Sequence, residues 1–206
     1  MDQPQEQAPP PADAASAEPA PRRPSLQRPP RHGLTLVFTG NGKGKTTAAI
    51  GLAVRAAGNR LRVRIIQFIK GQWKSGEREI LETLPQVELS VMGRGFTIER
   101  LRDPRIPMDE HQAAARAAWE QACQAVRSNA WDMVVLDEIL GAVKAGLVSL
   151  EELLELVRSK PPEVHLVLTG RGAPPELIDA ADLVTEMRAI KHPLEQGIKA
   201  QRGIEF

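Results

Sequence analysis

The chain has 206 residues, 42% of them hydrophobic, and a formal net charge of +1. That length suits one domain with its own apolar core, and the near-neutral balance excludes a large field drawing the chain to nucleic acid or an anionic membrane. The single cysteine, Cys123, excludes an intrachain disulfide and a thiolate metal cluster.

Residues 1–32 hold nine of the 17 prolines and almost no large apolar side chains. Such a segment buries too little surface to offset its ordering entropy, so a disordered tail is expected there. Its arginines (Arg22, Arg23, Arg28 and Arg31) read as part of a solvated linker, with contact to an anionic partner as the alternative. No apolar run approaches the roughly 18–20 residues that span a bilayer, and the N-terminus lacks the basic and apolar regions of a signal peptide. A cytoplasmic protein with no membrane or nucleic-acid partner is expected.

A globular domain is expected over 33–206. The apolar run 34–39 reads as a buried strand, and 45–57 as a helix stopped by Gly58 and Asn59. Strands follow over 62–69 and 87–92, then a long helix over 108–130 with Pro107 and Asp109 at its start. Cys123 falls in that helix among alanines, as a small buried hydrophobe would. A fourth strand is expected over 132–137, and a helix over 149–159 with Ser149 and Glu152 at capping-box spacing. A fifth strand over 164–169, a short helix over 174–181 and a sixth strand over 183–188 complete the reading. Strands alternating with helices predict an α/β fold, a mainly parallel sheet of about six strands covered on both faces. Ligands on such sheets bind beyond the C-terminal strand ends.

After the first strand the chain reads Gly40-Asn41-Gly42-Lys43-Gly44-Lys45-Thr46-Thr47 and enters a helix. Glycines let successive backbone N–H groups face inward around an anion, and the helix N-terminus adds its positive dipole end. Lys45 supplies a full charge to the outer phosphates of ATP, and the Thr46 hydroxyl is placed to ligate Mg²⁺ or Mn²⁺. The usual spacing of such a loop puts glycine five residues before Gly44, where this chain has Thr39. The loop is therefore expected to grip phosphates differently from that of an ordinary ATPase.

The fourth strand ends in Asp137 and Glu138, where a carboxylate beside a phosphate loop meets the metal directly or through water. Strand alternation sends the two to opposite sides if the strand continues. One of them is then the metal-side group, and helix capping is the alternative for either. The four histidines form no pair at helical spacing and no cluster with the cysteine, so no zinc site is expected.

The loop together with Gln67-Phe-Ile-Lys-Gly71, Gly76-Glu77, Met92-Gly-Arg-Gly-Phe96-Thr97, Val134–Glu138, Thr169-Gly-Arg-Gly172 and the ending Gly197-Ile-Lys-Ala-Gln-Arg-Gly-Ile-Glu-Phe206 resembles the P-loop-type ATP:corrinoid adenosyltransferases over about residues 33–206. The resemblance implies a RecA-like nucleotide-binding core and a homodimer. It implies transfer of the 5′-deoxyadenosyl group of ATP to the cobalt of a reduced Co(I) corrinoid with release of inorganic triphosphate, an alkyl transfer in adenosylcobalamin biosynthesis or salvage. A flavoprotein reductant such as flavodoxin is implied as a partner. By positional match, Glu138 is the Mg²⁺ ligand beside Thr46, Arg55 and Arg171 are phosphate-side arginines, Asn41 contacts the nucleotide, and Met92 and Phe96 belong to the corrinoid pocket. A solvated helix charge is the alternative for Arg55, and a core side chain for Phe96. Ile98 stands where the family often has tryptophan, which motivates a preference for incomplete corrinoids over complete cobalamin. The competing readings are a RecA-like ATPase and a small-molecule kinase, both releasing ADP rather than triphosphate.

Overall fold

The computed structural model of the protein describes residues 32–69, 75–92 and 107–205. The expectations for the N-terminal tail, for Phe96 and for Ile98 lie outside the described residues. In chain order the elements are β1 (Thr35–Thr39), α1 (Lys45–Gly58), β2 (Val63–Gln67), α2 (Gly76–Leu81), β3 (Val87–Val91) and α3 (Met108–Arg127). They continue with β4 (Met133–Asp137), α4 (Ile139–Lys144), α5 (Leu150–Ser159), β5 (His165–Thr169), α6 (Pro175–Ala180), β6 (Leu183–Glu186) and a 3₁₀ turn over Pro193–Gln196.

The six strands form one sheet in the order β3-β2-β4-β5-β1-β6, and every pairing is parallel. The α/β class is as expected, with a sheet wholly rather than mainly parallel. Its central strands are apolar on both sides because both faces are covered. In β4, Met133 and Val135 join a core with Leu36, Ile65, Val167 and the small face of α1 (Ala49, Ala53, Ala56). Val134 and Leu136 point the other way, into a larger core with Ile66, Leu166, Leu168 and residues of α3 to α6. Alanines on α1 and α3 let both helices lie close to the strands, while Trp119 and the leucines of α5 fill the space between elements. The cover fails at the edge: all four residues of β6 are exposed.

The capping box forms as expected. The Glu152 N–H donates to Ser149 Oγ at 3.1 Å, and the Ser149 N–H donates to Glu152 Oε2 at 3.0 Å. Cys123 packs half-buried against the larger core, and burial pushes its thiol pKa up, as for an inert small hydrophobe. Two short helices, α2 and α4, were not expected. The long helix stops at Arg127 rather than 130, where Asn129 turns left-handed with φ 53°. The last strand stops at Glu186, because Met187 and Arg188 leave the edge to back the loop after β1.

Candidate nucleotide-binding and active site

The turns after β1, β4 and β5 open at the same edge of the sheet, and three of the expected motifs meet there. Gly40 and Gly44 have φ of 99° and 113°, conformations that cost a side chain strain. Space is equally restrictive at Gly40, where a Cβ would lie 2.4 Å from the Met187 carbonyl oxygen. The Gly42 N–H donates to that same oxygen at 2.7 Å, and the Met187 N–H donates to the Thr39 carbonyl at 2.8 Å. The loop is therefore pressed directly onto the chain leaving β6. Gly40→Ala is expected to lower stability by about 2 kcal/mol, or the melting temperature by roughly 4–8 °C, and to abolish nucleotide binding. Thermal unfolding and ATP titration check both.

Thr39, which replaces the usual first glycine, ends β1 with its side chain buried. Its hydroxyl accepts a hydrogen bond from the Ala173 N–H at 3.1 Å. The substitution thus fastens the β5 turn, Gly170-Arg171-Gly172, to the start of the phosphate loop. A glycine at 39 would leave that N–H without its partner.

Lys45 opens α1 and folds back over the loop, where its ammonium donates to the Gly40 and Gly42 carbonyls at 2.9 and 2.7 Å. Burial lowers its pKa; Glu138 and Asp137 oppose that shift, and the nearby Arg171 charge adds to it. Arg171 is itself exposed at the turn after β5, close enough to share the field at Lys45.

Asp137 is fully buried at the end of β4 and is an acceptor hub. Its Oδ1 accepts from the Thr46 hydroxyl at 2.9 Å and from the Thr169 hydroxyl at 2.8 Å. Its Oδ2 accepts from Gln67 Nε2 at 3.0 Å, and Gln67 Oε1 accepts from Arg78 Nε at 3.1 Å. Glu138 does not follow strand alternation. The strand ends at Asp137, and Glu138 takes a left-handed conformation with φ 61°, unusual for a non-glycine residue. Its N–H donates to the Thr169 hydroxyl at 2.9 Å. Glu138 occupies the N-cap position of α4 without a side-chain capping bond. Strain of this kind collects at functional sites.

A cavity of about 480 Å³ is lined by Lys43, Gly44, Lys45, Thr46, Thr47, Ile50, Gly76, Glu77, Glu138, Gly203, Ile204 and Glu205. Of the expected site residues it gathers Lys43, Gly44, Lys45, Thr46, Thr47 and Glu138. Gly40 and Gly42 stand behind the loop, and Asn41 is exposed on it. Asp137 lies beneath the wall, where it holds Thr46 rather than facing the cavity. Arg55 is exposed in the last turn of α1, about 15 Å along the axis from Lys45, and is not among the residues that line the cavity. Met92 packs against the larger core at the end of β3. Sequence reasoning gave no role to Gln67 and Thr169, and no place at the cavity to Gly203, Ile204 and Glu205. A polar residue at the end of an otherwise apolar strand is the available signal for the first two.

Among the described residues no three His, Cys, Asp or Glu side chains group as a metal cage. Mg²⁺ does not require one, since it keeps waters and takes phosphate oxygens with one or two protein oxygens. The Thr46 hydroxyl spends its proton on Asp137 and keeps its lone pairs, and Glu138 lines the same cavity. This donor set fits Mg²⁺ or Mn²⁺ held together with nucleotide phosphates.

The family model for the ATP:corrinoid adenosyltransferases BtuR/CobO/CobP matches residues 31–206. The chain belongs to this family. A corrinoid adenosyltransferase of Escherichia coli K12 is 41% identical over 174 residues, covering 84% of this chain and 86% of the relative. One from Pseudomonas aeruginosa PAO1 is 44% identical over 178 residues, covering 84% of each. The corrinoid adenosyltransferase CobA of Salmonella typhimurium LT2 is 42% identical over 174 residues, covering 84% of this chain and 86% of the relative. Among the described residues of this adenosyltransferase, no helix is long and apolar enough to cross a membrane.

Proposed function

We propose that the cavity after β1 binds Mg-ATP and that the protein transfers the 5′-deoxyadenosyl group of that ATP to the cobalt of a reduced corrinoid. The observation that carries this reading is the convergence of Lys45, Thr46 and Glu138 on one cavity, with Thr46 held by a buried carboxylate. In this reaction the electron pair of Co(I) attacks the ribose 5′-carbon. The C5′–O bond breaks, and the oxygen leaves with its electron pair as inorganic triphosphate while cobalt becomes Co(III). No water is activated, so no general base is required. A bound Mg²⁺ would neutralise phosphate charge, with the Thr46 hydroxyl and the Glu138 carboxylate as its protein ligands.

The protein's own part is electrostatic. Lys45 and the loop amides meet the charge that grows on the leaving triphosphate, and the loop carbonyls hold the Lys45 ammonium close by before the reaction begins. Arg171, on a turn fastened through Ala173 and Thr39, adds a second positive charge beside Lys45. Phe96 and Met92 on the corrinoid side, a homodimer, a cytoplasmic location and a flavoprotein reductant such as flavodoxin belong to the proposal on the strength of the family resemblance. The preference for incomplete corrinoids rests on Ile98 alone.

The test is an anaerobic mixture of protein, Mg-ATP and chemically reduced cob(I)inamide, followed by its visible spectrum and by phosphate analysis. Loss of the Co(I) band with one triphosphate per adenosylated product is expected. Release of ADP and phosphate with cobalt unchanged would overturn the transfer and favour an ATPase. Equal turnover of cobalamin and cobinamide would remove the corrinoid preference.

A further inference from the structure

One wall of the cavity comes from the far end of the chain. Residues 201–205 fold into a turn in which the N–H groups of Ile204 and Glu205 donate to the Gln201 carbonyl at 3.2 and 2.9 Å. Gly203 takes the left-handed conformation this turn requires, with φ 80°. The Glu205 carboxylate closes the turn by accepting the Gln201 N–H on Oε2 at 2.5 Å. Its other oxygen, Oε1, reaches out of the turn to Lys43 Nζ at 3.0 Å. Both contacts hold the Glu205 carboxyl pKa below its ordinary value, the Gln201 N–H more than Lys43.

This ion pair adds little to the stability of the fold. The Lys43 side chain is 50% exposed, and pairs in that setting are screened by water and salt. Its position is the informative feature. Lys43 belongs to the phosphate loop and lines the cavity beside Gly44, Lys45 and Thr46, so Glu205 sets a negative charge on a lysine that faces an anion site. An ammonium binds as a compact point charge, without the fixed fork of a guanidinium, and exchanges one anion for another without rebuilding its geometry. A polyphosphate brings several charges where Glu205 brings one.

We propose that Glu205 is an internal competing anion. It occupies Lys43 while the cavity lacks polyphosphate, gives way when ATP arrives, and returns to help expel the triphosphate product. This rests on the reading of the cavity as the ATP site. Lys43 thereby meets two anions in turn, and the C-terminal turn becomes a determinant of product release as well as a wall.

The experiment is calorimetric titration of the full chain with inorganic triphosphate and Mg²⁺, alongside the ATP dependence of turnover. Glu205→Gln is expected to bind triphosphate about two- to fivefold tighter, the range set by a partly exposed ion pair. Its KM for ATP is expected to fall with it. Glu155→Gln, the same charge change on the exposed face of α5, is expected to leave both unchanged. In a Lys43→Gln background, the effect of Glu205→Gln should vanish if it acts through that lysine. Unchanged or weaker triphosphate binding in Glu205→Gln, or a gain that persists without Lys43, overturns the inference while leaving the ATP site standing. Failure of the unmodified protein to bind either triphosphate or ATP would overturn both.

Discussion

Lys45→Ala is expected to leave a folded protein whose adenosyl transfer is slower by about 100- to 1,000-fold, the range observed when one preorganised electrostatic group is removed from a transition state. The lysine sits at the mouth of α1 with its ammonium already on the Gly40 and Gly42 carbonyls. It therefore needs only a short movement to meet phosphate oxygens. Burial already disfavours its charge, so removing the side chain relieves a cost at the same time as it opens space. Little change in thermal stability is expected for that reason. Single-turnover kinetics with saturating Mg-ATP and a reduced corrinoid measure the rate, and circular dichroism checks the fold. A variant retaining more than a tenth of the rate would show that the loop amides and Arg171 carry the triphosphate without Lys45.

The second large effect is expected at Asp137, where stability and activity separate. In Asp137→Ala the Thr46 and Thr169 hydroxyls and the Gln67 amide lose their shared acceptor in a site with almost no access to water. Unsatisfied buried donors cost about 1–3 kcal/mol each, offset in part because a buried charge is also removed. A net loss of about 3 kcal/mol, or roughly 6–12 °C in melting temperature, follows. Asp137→Asn behaves differently. Its oxygen can still accept from Gln67, while its NH₂ must face the two threonines, whose hydroxyls can rotate and accept. Melting should then fall by only about 2–4 °C. One Thr46 lone pair is now engaged, however, and the hydroxyl is turned from the orientation that offers the metal its oxygen. A rate loss of about 10- to 100-fold that excess Mn²⁺ relieves in part is expected, on the scale of outer-shell substitutions at metal sites. Equal loss of stability in the two variants would mean that Asp137 acts only as a structural acceptor.

The fold was legible wherever its signal is local. The six strands are short, mostly apolar runs bounded by glycine, proline or polar residues, and six helices of different lengths separate them. Ser149 and Glu152 announce their helix start by spacing alone. The six-residue helices α2 and α4 span less than two turns and carry too little periodicity to stand out. In the site, the phosphate loop was readable because its chemistry lies in eight consecutive residues. The pairing of Thr46 with Asp137, and of Asp137 with Gln67 and Thr169, joins four separate segments, and no spacing announces it. The side on which Glu138 falls was not legible for a local reason: alternation applies only while a strand continues, and the chain turns left-handed as soon as the strand stops. Arg55 shows the opposite limit. A helix position is easy to assign, but its distance along the axis decides which end of the helix it serves.

The strand order carries a consequence for how the protein comes into being. β1 is the earliest strand in the chain, yet both of its neighbours, β5 and β6, are the last two. The Gly42 N–H that shapes the phosphate loop finds its acceptor only at Met187. A growing chain therefore carries β1 as an unpaired strand, and its loop unsupported, until β5 and β6 have been made. Such late, long-range closure slows folding and keeps apolar strands uncovered in the meantime. The loop is made before most of the domain, and the strand that braces it is made after.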